Sequence, residues 1–200
     1  MRFLPAYKRL RFAVSGLLAL SALLATLAPA AATEKVTYSE TVTVPTIVGY
    51  PDSIASMGDS ITRAYNTGSV PFTDAPANSW STGTAPQTNS HYSRILYDHT
   101  PAEGRNYNDA VTGAVMSDLG GQVESAVGQD AQYATILLGA NDACTNTEGA
   151  MTPVATYRAQ FQAAMAQLSA GLPDARIYVL SVPNIYNLWF QLKDNGSARF

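Results

Sequence analysis

The stretch Tyr133-Ala134-Thr135-Ile136-Leu137-Leu138-Gly139 decides how this chain is read. It has no charge, stops at a glycine, and is too short for an ordinary helix. It also lacks the polar alternation of a strand with one wet face. Such a run fits a strand covered on both faces, as in a parallel sheet. Downstream, Arg176 to Val182 reads as another buried strand, stopped by Pro183. Upstream, Ser53-Ile54-Ala55-Ser56-Met57 is a short strand stopped by Gly58, and Asn106 to Val111 is a weaker one.

Helical spacing fills the gaps. Asn89 to His99 places Tyr92, Ile95 and Leu96 at i, i+3 and i+4. Ser117 to Val127 reads as a helix capped by Ser117, with Asp118 in its first turn. Its apolar face holds Leu119, Val123, Ala126 and Val127. Thr152-Pro153 opens the clearest helix, with Thr152 as N-cap and Pro153 at the first position. Val154, Tyr157, Phe161, Met165, Leu168 and Leu172 form its stripe, and Gly171 can end it. Strands alternating with helices predict an α/β fold, an open parallel sheet with helices on both faces.

The 200 residues are 46% hydrophobic and 14% charged, enough for one domain with a real core. Residues 1–32 have the layout of a signal peptide. A basic start (Arg2, Lys8, Arg9, Arg11) precedes an apolar run from Phe12 to Leu27 and then Ala28-Pro29-Ala30-Ala31-Ala32. The run is short for a retained membrane anchor. After cleavage the expectation is a secreted, extracellular chain with no stable membrane span. Four of the 12 basic residues and none of the 15 acidic ones lie in that segment, so the rest carries a net charge of −7. That charge gives no electrostatic reason to bind nucleic acid. Residues 33–52 read as an extended arm or a short edge strand, and 53–200 as the domain. Cys144 is the one cysteine, so its thiol is free or its partner lies elsewhere. One Cys, His91 and His99 at these spacings build no metal cluster.

In such sheets, ligands bind beyond the carboxyl ends of the strands. Gly58-Asp59-Ser60, Thr112-Gly113 and Gly139-Ala140-Asn141-Asp142 all fall there. A serine on a tight turn can offer a nucleophilic hydroxyl and its own N–H. Gly113 lets its amide approach an oxyanion closely, and Asn141 adds a carboxamide donor. Singly, each stretch is an ordinary turn; together, in order, they suit acyl transfer. Asp59 is expected to bond its own turn, and Asp142 to hold its loop. The polar connection Arg63 to Thr88 is long enough to roof a pocket. Within it, Tyr65 and Trp80 are candidates to contact an acyl chain or sugar ring, or to plug the loop's own small core. Asn187-Leu188-Trp189-Phe190 is a second wall or the first turn of a helix.

Three segments carry a resemblance. Met57-Gly58-Asp59-Ser60-Ile61-Thr62, Asn108-Asp109-Ala110-Val111-Thr112-Gly113-Ala114 and Leu138-Gly139-Ala140-Asn141-Asp142 resemble, in order, the first three blocks of the SGNH (GDSL-type) esterases and lipases. Asn78-Ser79-Trp80-Ser81-Thr82-Gly83 and Asn89-Ser90-His91-Tyr92 resemble its secreted actinobacterial branch. The resemblance covers residues 53 to 200. It implies a flavodoxin-like three-layer α/β/α fold with four of about five strands present. It implies Ser60 as nucleophile, with Ser60 N–H, Gly113 N–H and Asn141 as the oxyanion hole. The reaction implied is hydrolysis of a carboxylic ester, without metal or organic cofactor. Small-molecule, lipid and polysaccharide esters all remain open as substrates.

The family's fourth block, Asp-x-x-His, has no counterpart here, and neither His91 nor His99 matches it. The chain is therefore read as a C-terminally incomplete esterase domain. Impaired turnover is expected, as is an uncovered sheet edge around Ile177 and Val179. The alternative on the same fold is a non-catalytic secreted module that binds a sugar or lipid. A nucleotide binder fits less well, because no glycine-rich phosphate loop or following lysine is present.

Overall fold

The structure is a computed structural model that describes residues 49–196. Residues 1–32, read from the sequence as a signal segment, and most of the expected arm lie outside the described residues. Among the described residues four strands are formed: β1 (Ile54–Gly58), β2 (Asn106–Asn108), β3 (Tyr133–Leu137) and β4 (Arg176–Val179). They lie in the order β2-β1-β3-β4, every pair parallel. In this register Ile54 is level with Asn106 and Tyr133, and Gly58 with Leu137. The described α-helices that accompany them are α1 (His91–Asp98), α2 (Leu119–Gly128), the single turn α3 (Ala140–Ala143), α4 (Val154–Gly171) and α5 (Ile185–Leu192).

Strand alternation sorts side chains into two layers. Ala55, Met57, Ala134 and Ile136 meet Leu119, Val123 and Ala126 of α2 and Ala164 and Leu168 of α4 in the main core. On the other face, Ile54 and Tyr133 pack with Tyr92, Ile95 and Leu96 of α1 and with Ala102. Also fully buried are three hydroxyls: Ser56 Oγ and Ser81 Oγ each lie 2.8 Å from Thr135 Oγ1. Their hydrogen bonds offset the cost of removing polar groups from water. Helices therefore cover both faces, giving the three-layer α/β architecture expected from the sequence.

The ends of the elements depart from expectation. A 3₁₀ turn, Met116–Asp118, precedes α2, so Ser117 is not its cap. Asp118 Oδ2 instead accepts from Val115 N–H at 2.9 Å. Pro153, not Thr152, is the N-cap of α4, because its extended ψ of 138° holds it outside the helix while its carbonyl accepts from Tyr157 N–H. Thr152 N–H goes to the Asp142 carbonyl instead. Val154 leaves the apolar stripe: it sits in the first turn of α4, 76% exposed. β2 is shorter than predicted, although Asp109 N–H and Val111 N–H still bond to Ser56 O and Gly58 O of β1. β4 stops at Val179, three residues early, and is half-exposed rather than buried. Among the described residues it pairs with β3 alone.

Candidate active site

The carboxyl ends of β1, β2 and β3 converge through long-range hydrogen bonds. Gly58, the last residue of β1, is held on both sides of its peptide units by one side chain. Gln122 Oε1 of α2 accepts from Gly58 N–H at 2.7 Å, and Gln122 Nε2 donates to Gly58 O at 3.0 Å. A Cβ at Gly58 would lie 2.4 Å from Thr62 Oγ1 and 2.5 Å from Leu137 O, so only glycine lets the chain turn here. The turn is closed by Asp59 Oδ1, which accepts from Ile61 N–H at 2.9 Å, and by Arg63 N–H to Asp59 O and Tyr65 N–H to Ser60 O. Ser60 follows directly and is half-buried. Among the described residues its hydroxyl and its N–H have no hydrogen-bond partner.

Gly113 occupies a turn closed by Ala114 N–H to Val111 O, with φ at +86°, a conformation natural to glycine. Its N–H is likewise without a partner among the described residues. Two residues earlier, Val111 N–H reaches Gly58 O at the end of β1. One residue later, Ala114 O accepts from Asn141 Nδ2 at 2.8 Å. That bond uses one of the two amide hydrogens of Asn141 and leaves the other available. The three predicted residues thus stand at the ends of adjacent strands, cross-linked on either side of Gly113.

Two buried aspartates support them. Asp142 Oδ2 accepts from Met116 N–H at 2.9 Å, so its side chain holds the segment leading into α2, and its backbone carbonyl accepts from Thr152 N–H. Burial pushes the Asp59 carboxyl up, and the nearby Asp142 charge adds to this; bonds from backbone N–H groups oppose both. Asp59 Oδ2 and Asp142 Oδ1 are buried without a hydrogen-bond partner.

Both histidines are engaged elsewhere. His91 Nδ1 and Tyr133 Oη share a hydrogen bond at 2.8 Å, on the α1 face at the start of β3. The imidazole stacks on Tyr133 and meets Trp80 edge-on. Burial, then the Arg94 charge, lowers its pKa. His99 Nε2 lies 2.6 Å from Asp52 Oδ1, ahead of β1. Trp80 is half-buried in the same aromatic group, with Nε1 3.4 Å from Thr62 Oγ1. Tyr65 is 37% exposed, in the turn that carries Ser60. Phe190 lies in α5 and is exposed.

Gln122, and the carboxylate of Asp74 with its partner Thr112, were not anticipated from the sequence. Gln122 lies on a predicted helix, but nothing local marks it as a partner for a residue 64 positions away. Two cavities flank the strand ends. One of about 490 Å3 is lined by Thr112, Gly113, Asp118 and Gln122. An apolar one of about 460 Å3 is lined by Gly139, Asp142, Met151, Tyr157 and Val182. No described helix is long and apolar enough to cross a membrane. No group of three or more metal-ligating side chains occurs among the described residues.

The parallel α/β sheet carries Ser60, Gly113 and Asn141 beyond its strand ends, and comparison with known proteins supplies the family. The chain belongs to the GDSL-like lipase/acylhydrolase family, whose profile matches residues 56–199. Among solved structures, it is similar to one described as a GDSL-like lipase from Parabacteroides merdae. That match has 24% identity and a TM-score of 0.48, covering 68% of this chain and 62% of the other. It is also similar to the acetyl xylan esterase AlAXEase, at 15% identity and a TM-score of 0.42, covering 64% and 56%. The chain therefore spans less than two thirds of either protein's length. No curated protein matches it.

Proposed function

We propose that this chain is the nucleophile-bearing domain of an exported serine esterase that hydrolyses carboxylic esters. The observation that carries this reading is the set of uncommitted groups at the strand ends: the Ser60 hydroxyl, the Ser60 and Gly113 N–H groups, and the second Asn141 amide hydrogen. Ser60 Oγ attacks the ester carbonyl and loses its proton. The carbonyl oxygen becomes an oxyanion held by the three neutral donors. The alcohol leaves with a proton, and water then releases the acyl group by the same path. In this reading Tyr65, exposed in the turn after the nucleophile, meets the acyl side.

The Ser60 proton needs an acceptor, and His91 and His99 are tied to Tyr133 and Asp52. The 200-residue chain is therefore expected to turn over slowly, with an external imidazole able to serve as base. The test is p-nitrophenyl acetate hydrolysis in increasing imidazole, with Ser60→Ala as the blank. The expected result is a small Ser60-dependent rate that climbs with neutral imidazole. Identical rates for the two proteins at every imidazole concentration would reject the esterase reading.

A further inference from the structure

The long connection between β1 and α1 does more than cover the sheet. Asp74, within it, accepts from Arg63 Nε at 2.9 Å through Oδ2 and from Thr112 Oγ1 at 2.5 Å through Oδ1. Arg63 belongs to the turn that presents Ser60: its N–H bonds to Asp59 O. Its guanidinium also reaches Asn108 O, the end of β2, at 3.4 Å, and its carbonyl accepts from Ala75 N–H. Thr112 immediately precedes Gly113. One carboxylate thus bridges the turn that carries the nucleophile to the turn that carries the second oxyanion donor.

We propose that Asp74 is a positioning residue, which fixes the Gly113 amide relative to Ser60 by holding Thr112 with one oxygen and Arg63 with the other. The inference rests on the esterase reading for its catalytic consequence, but not for the geometry. Thr112 is exposed, so its hydroxyl would satisfy itself with water at little cost; only the carboxylate gives it one direction. Gly113 has open space around its Cα and no side chain to anchor it, so the preceding residue must do so. The Thr112 hydroxyl, and after it Arg63, hold the Asp74 carboxyl below the usual carboxylate range, which keeps the bridge charged at neutral pH. A displacement of an oxyanion donor by about 1 Å is enough to cost on the order of 100-fold in rate.

The experiment compares Asp74→Ala, Thr112→Val and Thr112→Ser with the unaltered chain by two readouts. The first is amide hydrogen exchange at Ala114, whose N–H closes the Gly113 turn. The second is imidazole-supported ester hydrolysis, resolved into kcat and KM. Asp74→Ala and Thr112→Val are expected to speed Ala114 exchange at least roughly tenfold and to lower kcat by about 10- to 100-fold, with KM within about twofold. Thr112→Ser, which keeps the hydroxyl, is expected to restore both. Circular dichroism identifies any variant that fails to fold, and the remaining member of the pair then decides. Unchanged Ala114 exchange in a folded Asp74→Ala or Thr112→Val variant overturns the bridge. A kcat loss that Thr112→Ser does not recover overturns the role of the hydroxyl. If Ser60→Ala shows the esterase reading to be wrong, the exchange readout still decides the geometry.

Discussion

Asp59 shows how a single residue beside the nucleophile is set by its surroundings. Its carboxyl is buried at the head of the Ser60 turn, with one oxygen on Ile61 N–H and the other unpartnered. Burial and the Asp142 charge raise its pKa, so the folded chain keeps this proton to a higher pH than the unfolded chain does. The stability it contributes is present below the ordinary carboxylate range, near 3.9, and is lost as pH rises through the folded value. Asp59→Asn keeps an acceptor for Ile61 and has no ionisation. Its melting temperature relative to the parent is expected to climb as pH is raised from about 3 to about 6. Thermal scans across that interval check the sign, and a flat difference would show that Asp59 ionises normally. The places of Ser60, Gly113 and Asn141 beyond the strands were legible in the sequence, because each follows a predicted strand and sits in or beside a glycine turn. Gln122 and Asp74 were not, because their partners are a peptide unit 64 residues away and a hydroxyl 38 residues away.

Among the elements, α2 and α4 secure the strand ends from below. Leu119, Val123 and Ala126 on one helix and Ala164 and Leu168 on the other are fully or nearly fully buried against the sheet. Leu168 is completely buried in that interface. Leu168→Ala is expected to cost about 2–5 kcal/mol, through lost apolar burial and the cavity left behind. Urea unfolding of the variant checks this; a change under about 1 kcal/mol would mean that the two helices close up around the gap. These helices could be read from the sequence because burial on one face imposes a 3.6-residue period. Their first residues could not. Ser117 and Thr152 have the right chemistry for capping, yet the backbone runs on as a 3₁₀ turn at one and stays extended at Pro153 after the other. The competition is between local turn forms of similar energy, which tertiary bonds decide, such as Thr152 N–H to Asp142 O. The apolar run at β4 gave the strand, but its burial depends on neighbours that a run of residues does not reveal.

At the scale of the whole molecule, the sheet is finished unevenly. β1 is buried throughout, while Tyr178 and Val179 of β4 are 46% and 43% exposed. Among the described residues β4 pairs on one side alone, and an apolar strand with such an edge is a template for another chain. Concentration-dependent self-association of the 200-residue chain is therefore expected. Val179→Lys, which places a charge on that edge, is expected to reduce it. Light scattering over a range of protein concentrations measures both, and equal scattering from the two would locate the sticky surface elsewhere.

The grip of Gln122 on Gly58 has a consequence for how activity would be lost. The Gln122 amide adds to the bond from Val111 N–H, so the bend carrying Ser60 is tethered to a helix as well as to loops. While α2 stays seated, the start of that bend keeps its anchor at Gly58. Heat inactivation and loss of helical signal should consequently share one midpoint, and a partly melted yet still helical form would have to break this tether first.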